Sequence, residues 1–152
     1  MEGHCSCKGV RYQIASAPMI VHCCHCRWCQ RESGAAFAIN ALLEADRVTL
    51  LAGTPLVVET PSESGKGQRI ARCPTCFVAV WSNYSGAGDK VRFVRVGTLA
   101  APDLLPPDIH IFVASKQPWV QLPAGAKAFD VYYDSSKEWR EASLARRRAL
   151  FG

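Results

Sequence analysis

Seven of the eight cysteines in this chain fall into three short clusters, Cys5-x-Cys7, Cys24-His25-Cys26-x-x-Cys29 and Cys73-Pro-x-Cys76. Thiolates at such spacings bind metal. In a tetrahedral zinc site the Zn–S distance is roughly 2.3 Å, which puts ligand sulfurs under about 4 Å apart. Alternate residues of a strand share a face, and a CxxC turn folds back on itself, so each pattern presents sulfurs close together. Neither element closes a four-ligand site alone, so clusters distant in sequence must converge. Seven divides most simply into four and three, one closed site and one with an open position. Cysteine used in this way belongs to a reducing compartment, where disulfides are rare.

Cys5 and Cys7 with Cys73 and Cys76 read as two halves of a structural zinc site that ties the N-terminus to the middle of the chain. The middle cluster differs. Extended geometry through residues 22–26 puts His22, Cys24 and Cys26 on one face and Cys23 and His25 on the other, with Cys29 returning from the following turn. Three thiolates with an open position describe a reactive zinc; three thiolates plus His22 describe a closed structural one, and spacing admits both. Cys23 reads as a buried free thiol, because adjacent residues rarely reach one metal. His25 reads as packed away from the metal and His4 as a surface residue. Arg27 and Arg31 flank the cluster, where they either clamp a substrate carboxylate or lie on the surface. His110 is a candidate proton shuttle or orienting group, with a structural histidine as the alternative.

The elements that must position these residues are mostly short strands. Val10 to Ile14 and Val91 to Val96 alternate, while Phe37 to Leu43, Val48 to Leu51, Leu56 to Thr60 and Phe77 to Trp81 are apolar enough to be buried. Turn residues at 53–55, 61–65, 86–89 and 102–107 separate them, and an antiparallel, mainly β fold follows. Two helices are predicted: a short one over Arg27 to Ser33 ended by Gly34, and one over Ser135 to Leu150, with Ser136 as cap and Trp139, Ala142 and Leu150 on one side. A length of 152 residues predicts a single domain, 1–152, with 135–152 a helical extension.

Apolar residues at 49% and charged residues at 20% fit a soluble globular protein, and no apolar run approaches the ~20 residues of a membrane span. The start has neither a basic nor an apolar leader region, which predicts a cytoplasmic protein. Its formal charge of +5 would fall to about +2 with seven thiolates on two Zn²⁺, so the signal for an anionic partner shrinks. What remains gathers at Arg140 and at Arg146 to Arg148, a solvated helix face in preference to a nucleic-acid patch.

The run from Cys24 to Phe37, with the CxC before it, the CPxC after it and His110-Ile-Phe-Val-Ala-Ser-Lys-Gln-Pro-Trp119 later, resembles the glutathione-dependent formaldehyde-activating family, related to centromere protein V, over about residues 3–133. The resemblance implies a zinc-stabilised, β-tent-like fold. It also implies a structural zinc at Cys5, Cys7, Cys73 and Cys76 and a catalytic zinc at Cys24, Cys26 and Cys29; His22 lies outside the family motif, which favours the open site. The implied activity is that of a carbon–sulfur lyase resembling S-(hydroxymethyl)glutathione synthase. It would activate a thiol such as glutathione for reversible addition to formaldehyde or a related aldehyde. The alternative is a zinc-stabilised binding module whose basic C-terminal patch meets nucleic acid or an acidic partner. The enzyme is preferred, because three thiolates without a fourth ligand explain poorly as scaffolding. Where the family has glycine after its CxC and CxxC motifs, this chain has Lys8 and Phe77, so the second knuckle is expected to turn differently.

Overall fold

Strand alternation divides the apolar residues of this chain between two faces of one large sheet. The computed structural model describes residues 1–152. Its elements are β1 (Glu2–His4), β2 (Arg11–Ile14), β3 (Ile20–Cys24), α1 (Arg27–Ser33), β4 (Ala38–Glu44), β5 (Val48–Ala52), β6 (Leu56–Thr60), β7 (Gln68–Arg72), β8 (Ala79–Tyr84), β9 (Val91–Arg95), β10 (Ile109–Ile111), β11 (Lys127–Ala128), α2 (Ser135–Glu138) and α3 (Glu141–Phe151). An eight-stranded sheet runs β11-β10-β3-β4-β9-β8-β7-β6, and a three-stranded sheet runs β1-β2-β5.

One face of the large sheet carries Val21, Ala41, Val94, Trp81 and Ala71, which pack with Val10, Tyr12 and Ile14 of the small sheet side into the main core. Residues one step along the same strands face the other way. Ile20, Cys24, Ala38, Leu42 and Ile111 form a second core, against which Phe112, Phe129, Tyr133, Trp139 and Leu150 pack from the C-terminal part of the chain. Register sets this up: His22 pairs with Asn40 and Cys24 with Ala38. The second face holds the middle cysteine cluster.

The sheet is not purely antiparallel. β10 pairs parallel with both β3 and β11, which corrects the antiparallel expectation. A parallel pair needs a long crossover, and the whole chain between Cys24 and Ile109 supplies one. Asp108 sets the register: its backbone N–H donates to Val21 O at 2.9 Å, and its carboxylate accepts from Val21 N–H at 2.9 Å.

The single C-terminal helix also needs correction, because it is broken at Trp139-Arg140 into α2 and α3. Asp134, not Ser136, caps α2: its carboxylate accepts from Ser136 N–H at 2.9 Å. The indole N–H of Trp139 donates to Tyr133 Oη at 2.6 Å, and that inward anchor competes with helix continuation. α3 is then held by Arg146, whose Nε donates to the buried Glu44 Oε1 at 2.7 Å while its other nitrogen reaches Oε2. Arg148 pairs with Glu141 and Arg140 with Asp108, so three of the four arginines in the basic C-terminal stretch already have acidic partners in the chain.

Burial alone would raise the Glu44 pKa, but the Arg146 fork outweighs it and holds the carboxyl below its usual value. Arg146→Met leaves that buried carboxylate with only the longer 3.4 Å contact to the half-exposed Arg47 and is expected to cost about 2 kcal/mol near pH 7. A group with a depressed pKa contributes stability that is present above its unfolded value and lost as pH falls through the folded one. Urea midpoints of wild type and variant should therefore converge below about pH 4. A constant gap from pH 7 to pH 3 would defeat this assignment.

Candidate metal centres and the cavity above them

The Sγ atoms of Cys5, Cys7, Cys73 and Cys76 all lie within 4.8 Å of one another. Cys7 sits 3.6 Å from both Cys5 and Cys73, close to the roughly 3.8 Å that a tetrahedral Zn–S shell requires. Two turns of matching design present them. The Cys5 N–H donates to Val10 O at 3.1 Å and the Cys73 N–H to Val78 O at 3.0 Å. Val10 N–H and Thr75 N–H donate to the Cys5 and Cys73 sulfurs at 3.3 and 3.4 Å. A Cβ on Gly9 would lie 3.3 Å from the Cys7 sulfur and 3.8 Å from that of Cys73, so only glycine lets the backbone come this close without pressure. Backbone N–H groups of Cys7 and Val78 hold the Cys76 thiol down to about 6. The donor set, its spacing and its N–H···S bonds fit a structural zinc.

Lys8 and Phe77 sit at φ 61° and 59°. The two turns therefore keep the left-handed conformation that glycine would adopt freely, which corrects the expectation of a different second knuckle. Left-handed geometry costs an L-residue roughly 1–2 kcal/mol, and Phe77 is 60% exposed, so its ring returns little burial. Phe77→Gly is expected to stabilise the protein by about 1 kcal/mol, part of the gain being lost to unfolded-chain entropy. A melting temperature equal to or below wild type would show that the ring, not the backbone, matters there.

Cys24, Cys26 and Cys29 form a second group, all buried, again with their sulfurs within 4.8 Å. Cys24 ends β3. Cys26 is the N-cap of α1, and its sulfur accepts from Cys29 N–H at 3.3 Å. Gly34 closes α1 at φ 65°, its N–H donating to Gln30 O, so the helix ends where the sequence predicts. Gln30 is buried and locks α1 in place: its Nε2 donates to His25 O at 2.7 Å and Ser115 O at 3.0 Å. The three thiols cannot ionise together unaided. Hydrogen bonds from Cys24 and Cys29 pull Cys26 down to about 3, whereas the bonds to Cys26 and Cys29 push Cys24 far up. A divalent cation would remove that conflict, and the donor set fits zinc.

These sulfurs floor a cavity of about 290 Å³. Its walls include Trp28, Tyr84, Phe93, Ile111, Phe112 and Tyr132; Asn40 and Gln68 add polar groups, and the β6–β7 turn brings Glu63 and Lys66. His22 also borders it. Its Nε2 meets Tyr133 Oη at 2.5 Å, and burial lowers its pKa to about 4, so the ring is neutral at pH 7. Nothing in the sequence marked Lys66, Tyr84 or Tyr132 for this site, since each comes from a different, distant segment; the strand through Gln68, which brings one wall, carried too mixed a pattern to read.

Arg27 and Arg31 lie outside the cavity lining. Arg27 donates to Gln30 Oε1 at 2.9 Å, and the Arg31 guanidinium lies 5.9 Å from the Trp28 ring centroid. His110 stands elsewhere too. With Cys23 and His25 it forms a third buried group on the opposite side of the strand, His25 Nε2 lying 3.1 Å from His110 Nδ1 and 3.5 Å from the Cys23 sulfur. Burial, and then the neighbouring His110, lower the His25 pKa to about 4. Burial also raises the Cys23 thiol to about 12, leaving it protonated.

No helix is long and apolar enough to cross a membrane. Among solved structures, the chain is similar to a crystal structure of a Rhodobacter sphaeroides protein. The TM-score is 0.53 at 18% identity, over 70% of this chain and 97% of that one. At that identity the likeness speaks for the fold alone. A comparison with curated proteins finds no match. The family model described as glutathione-dependent formaldehyde-activating enzyme matches residues 1–115. That stretch holds all seven clustered cysteines and His110, but not Tyr132, which lines the cavity. The chain belongs to the glutathione-dependent formaldehyde-activating enzyme family.

Proposed function

We propose that this protein is a carbon–sulfur lyase that interconverts a small thiol and formaldehyde, or a related small aldehyde, with their S-hydroxyalkyl adduct. Two zinc ions per chain would serve it, a structural one at Cys5, Cys7, Cys73 and Cys76 and a catalytic one at Cys24, Cys26 and Cys29. The observation that carries the reading is a group of three buried thiols, with no fourth His, Cys, Asp or Glu in the group, opening on an aromatic-walled cavity. Bound there, zinc would supply the positive charge that keeps a substrate thiolate at neutral pH.

The remaining work falls to the chain. In the forward direction a C–S bond forms, the carbonyl π bond breaks, and the thiol proton ends on the new hydroxyl; the reverse direction releases aldehyde and thiol. The aromatic walls lower the polarity beside the sulfurs, so charges interact more strongly there than in water. Gln30 fixes α1, and so the spacing of Cys26 and Cys29. His110 does not itself line the cavity; it stacks on His25 at 5.4 Å between ring centroids and acts as a positioning residue for the cysteine-bearing turn.

The test is exchange NMR with ¹³C-formaldehyde and two thiols, glutathione and 2-mercaptoethanol, at fixed pH. Zinc-loaded protein should accelerate exchange between hydrated aldehyde and adduct for at least one of them. An exchange rate equal to the uncatalysed one with both thiols would sink the proposal.

A further inference from the structure

We infer that the thiol accepted by this cavity has an apolar, preferably aromatic body and at most one carboxylate. This rests on the reading of the three-cysteine group as the thiol-activating site. It departs from a tripeptide such as glutathione, which brings two carboxylates and an ammonium.

Charge is the first argument. Apart from the thiols and His22, the only acid and base side chains that line the cavity are Glu63 and Lys66, both on the exposed β6–β7 turn at the mouth. A single cation matches a single carboxylate. None of the nearby arginines lines the cavity: Arg72 pairs with Glu32, while Arg95 and Arg27 donate to the neutral side chains of Asn40, Ser82 and Gln30. A second carboxylate drawn inside would meet no further cation at the lining, and an unpaired charge leaving water is strongly disfavoured.

Shape and composition are the second. Tyr84 and Phe93 meet edge to face at 4.6 Å between centroids, and Phe112 and Tyr132 lie 6.4 Å apart. Phe112 holds φ 57°, a left-handed conformation rare for a bulky residue. Three hydrogen bonds hold its backbone: its N–H donates to Val131 O at 2.8 Å, and its carbonyl accepts from Ser115 N–H at 3.2 Å and Ser115 Oγ at 3.1 Å. The chain thus keeps a strained residue whose ring lines the cavity. An apolar cavity of about 150 Å³ takes a benzene ring. The cavity of about 290 Å³ therefore holds a ring plus a short thiol arm above the sulfurs, with space toward Lys66 for one anionic group.

The experiment uses the full chain loaded with Co²⁺, whose sulfur charge-transfer and d–d absorption report a thiol entering the metal shell. Four probes are titrated: 4-(mercaptomethyl)benzoate, benzyl mercaptan, glutathione and 2-mercaptoethanol. The two aromatic thiols should bind about tenfold or more tightly than glutathione. Lys66→Met, on an exposed turn, should remove the advantage of the benzoate over benzyl mercaptan, about fivefold, and leave the aromatic preference intact. Trp28→Ala, at the exposed rim, should weaken both aromatic thiols and not 2-mercaptoethanol. Glutathione binding as tightly as the aromatic thiols, or aromatic affinity unmoved by Trp28→Ala, overturns the inference and leaves the proposed function standing. A cobalt spectrum unchanged by all four thiols overturns the proposed function, and the inference with it.

Discussion

Cys73→Ala should yield insoluble or largely unfolded protein. The residue is 1% exposed and packs in the main core, its sulfur accepts from Thr75 N–H, and it lies 3.6 Å from Cys7. Loss of the sulfur leaves three thiols that cannot close a tetrahedral shell, and with it goes the link between the β1–β2 turn and the β7–β8 turn. A structural zinc contributes on the order of 10–16 kcal/mol in small metal-dependent peptides, whereas a whole domain is stable by only about 5–15 kcal/mol. The cavity left by the sulfur adds to the loss. Thermal denaturation beside zinc stoichiometry measures it. A soluble variant melting within a few degrees of wild type would mean that the four-cysteine group is not what holds the sheets together.

The grouping of the cysteines was legible in the sequence, because sulfur spacing is local: CxC, CHCxxC and CPxC each set their own. Strand alternation through His22 to Cys26 likewise separates Cys24 and Cys26 from Cys23 and His25. The α1 boundaries were legible too, since a cap at Cys26 and a left-handed Gly34 are both local signals. What long-range packing decides was not. The parallel placing of β10 depends on Asp108 meeting Val21, 87 residues apart in sequence, and the break in the C-terminal helix depends on where Trp139 finds Tyr133. The same holds for the lining of the cavity. Arg27 and Arg31 are next to the ligands in sequence, yet α1 turns both out of the cavity, while Lys66 reaches its mouth from a turn with no local mark of function. Glycine preference at Lys8 and Phe77 was also overridden: two hydrogen-bonded knuckles that present sulfur to one point outweigh a backbone cost of roughly 1–2 kcal/mol at each.

Cys26→Ala should behave in the opposite way: folded, one zinc short, and with catalysis reduced to the uncatalysed rate. Its sulfur belongs to a group of three in the second core, which Ile20, Leu42, Ile109 and Ile111 hold together without it. The structural loss is the cap of α1, where Cys29 N–H would lose its acceptor; a lost N-cap costs about 1 kcal/mol. For a chain of this length that corresponds to a fall in melting temperature of about 2–4 °C. The functional loss should be far larger, because two thiols would not retain zinc in competition with water, and the positive charge proposed to keep the substrate sulfur ionised would go with the metal. Two readouts separate the effects. Elemental analysis should show one zinc per chain in place of two, and adduct exchange should fall to background at unchanged far-UV circular dichroism. If Cys26→Ala collapses while Cys73→Ala stays folded and loses only activity, the structural and catalytic roles belong to the opposite groups.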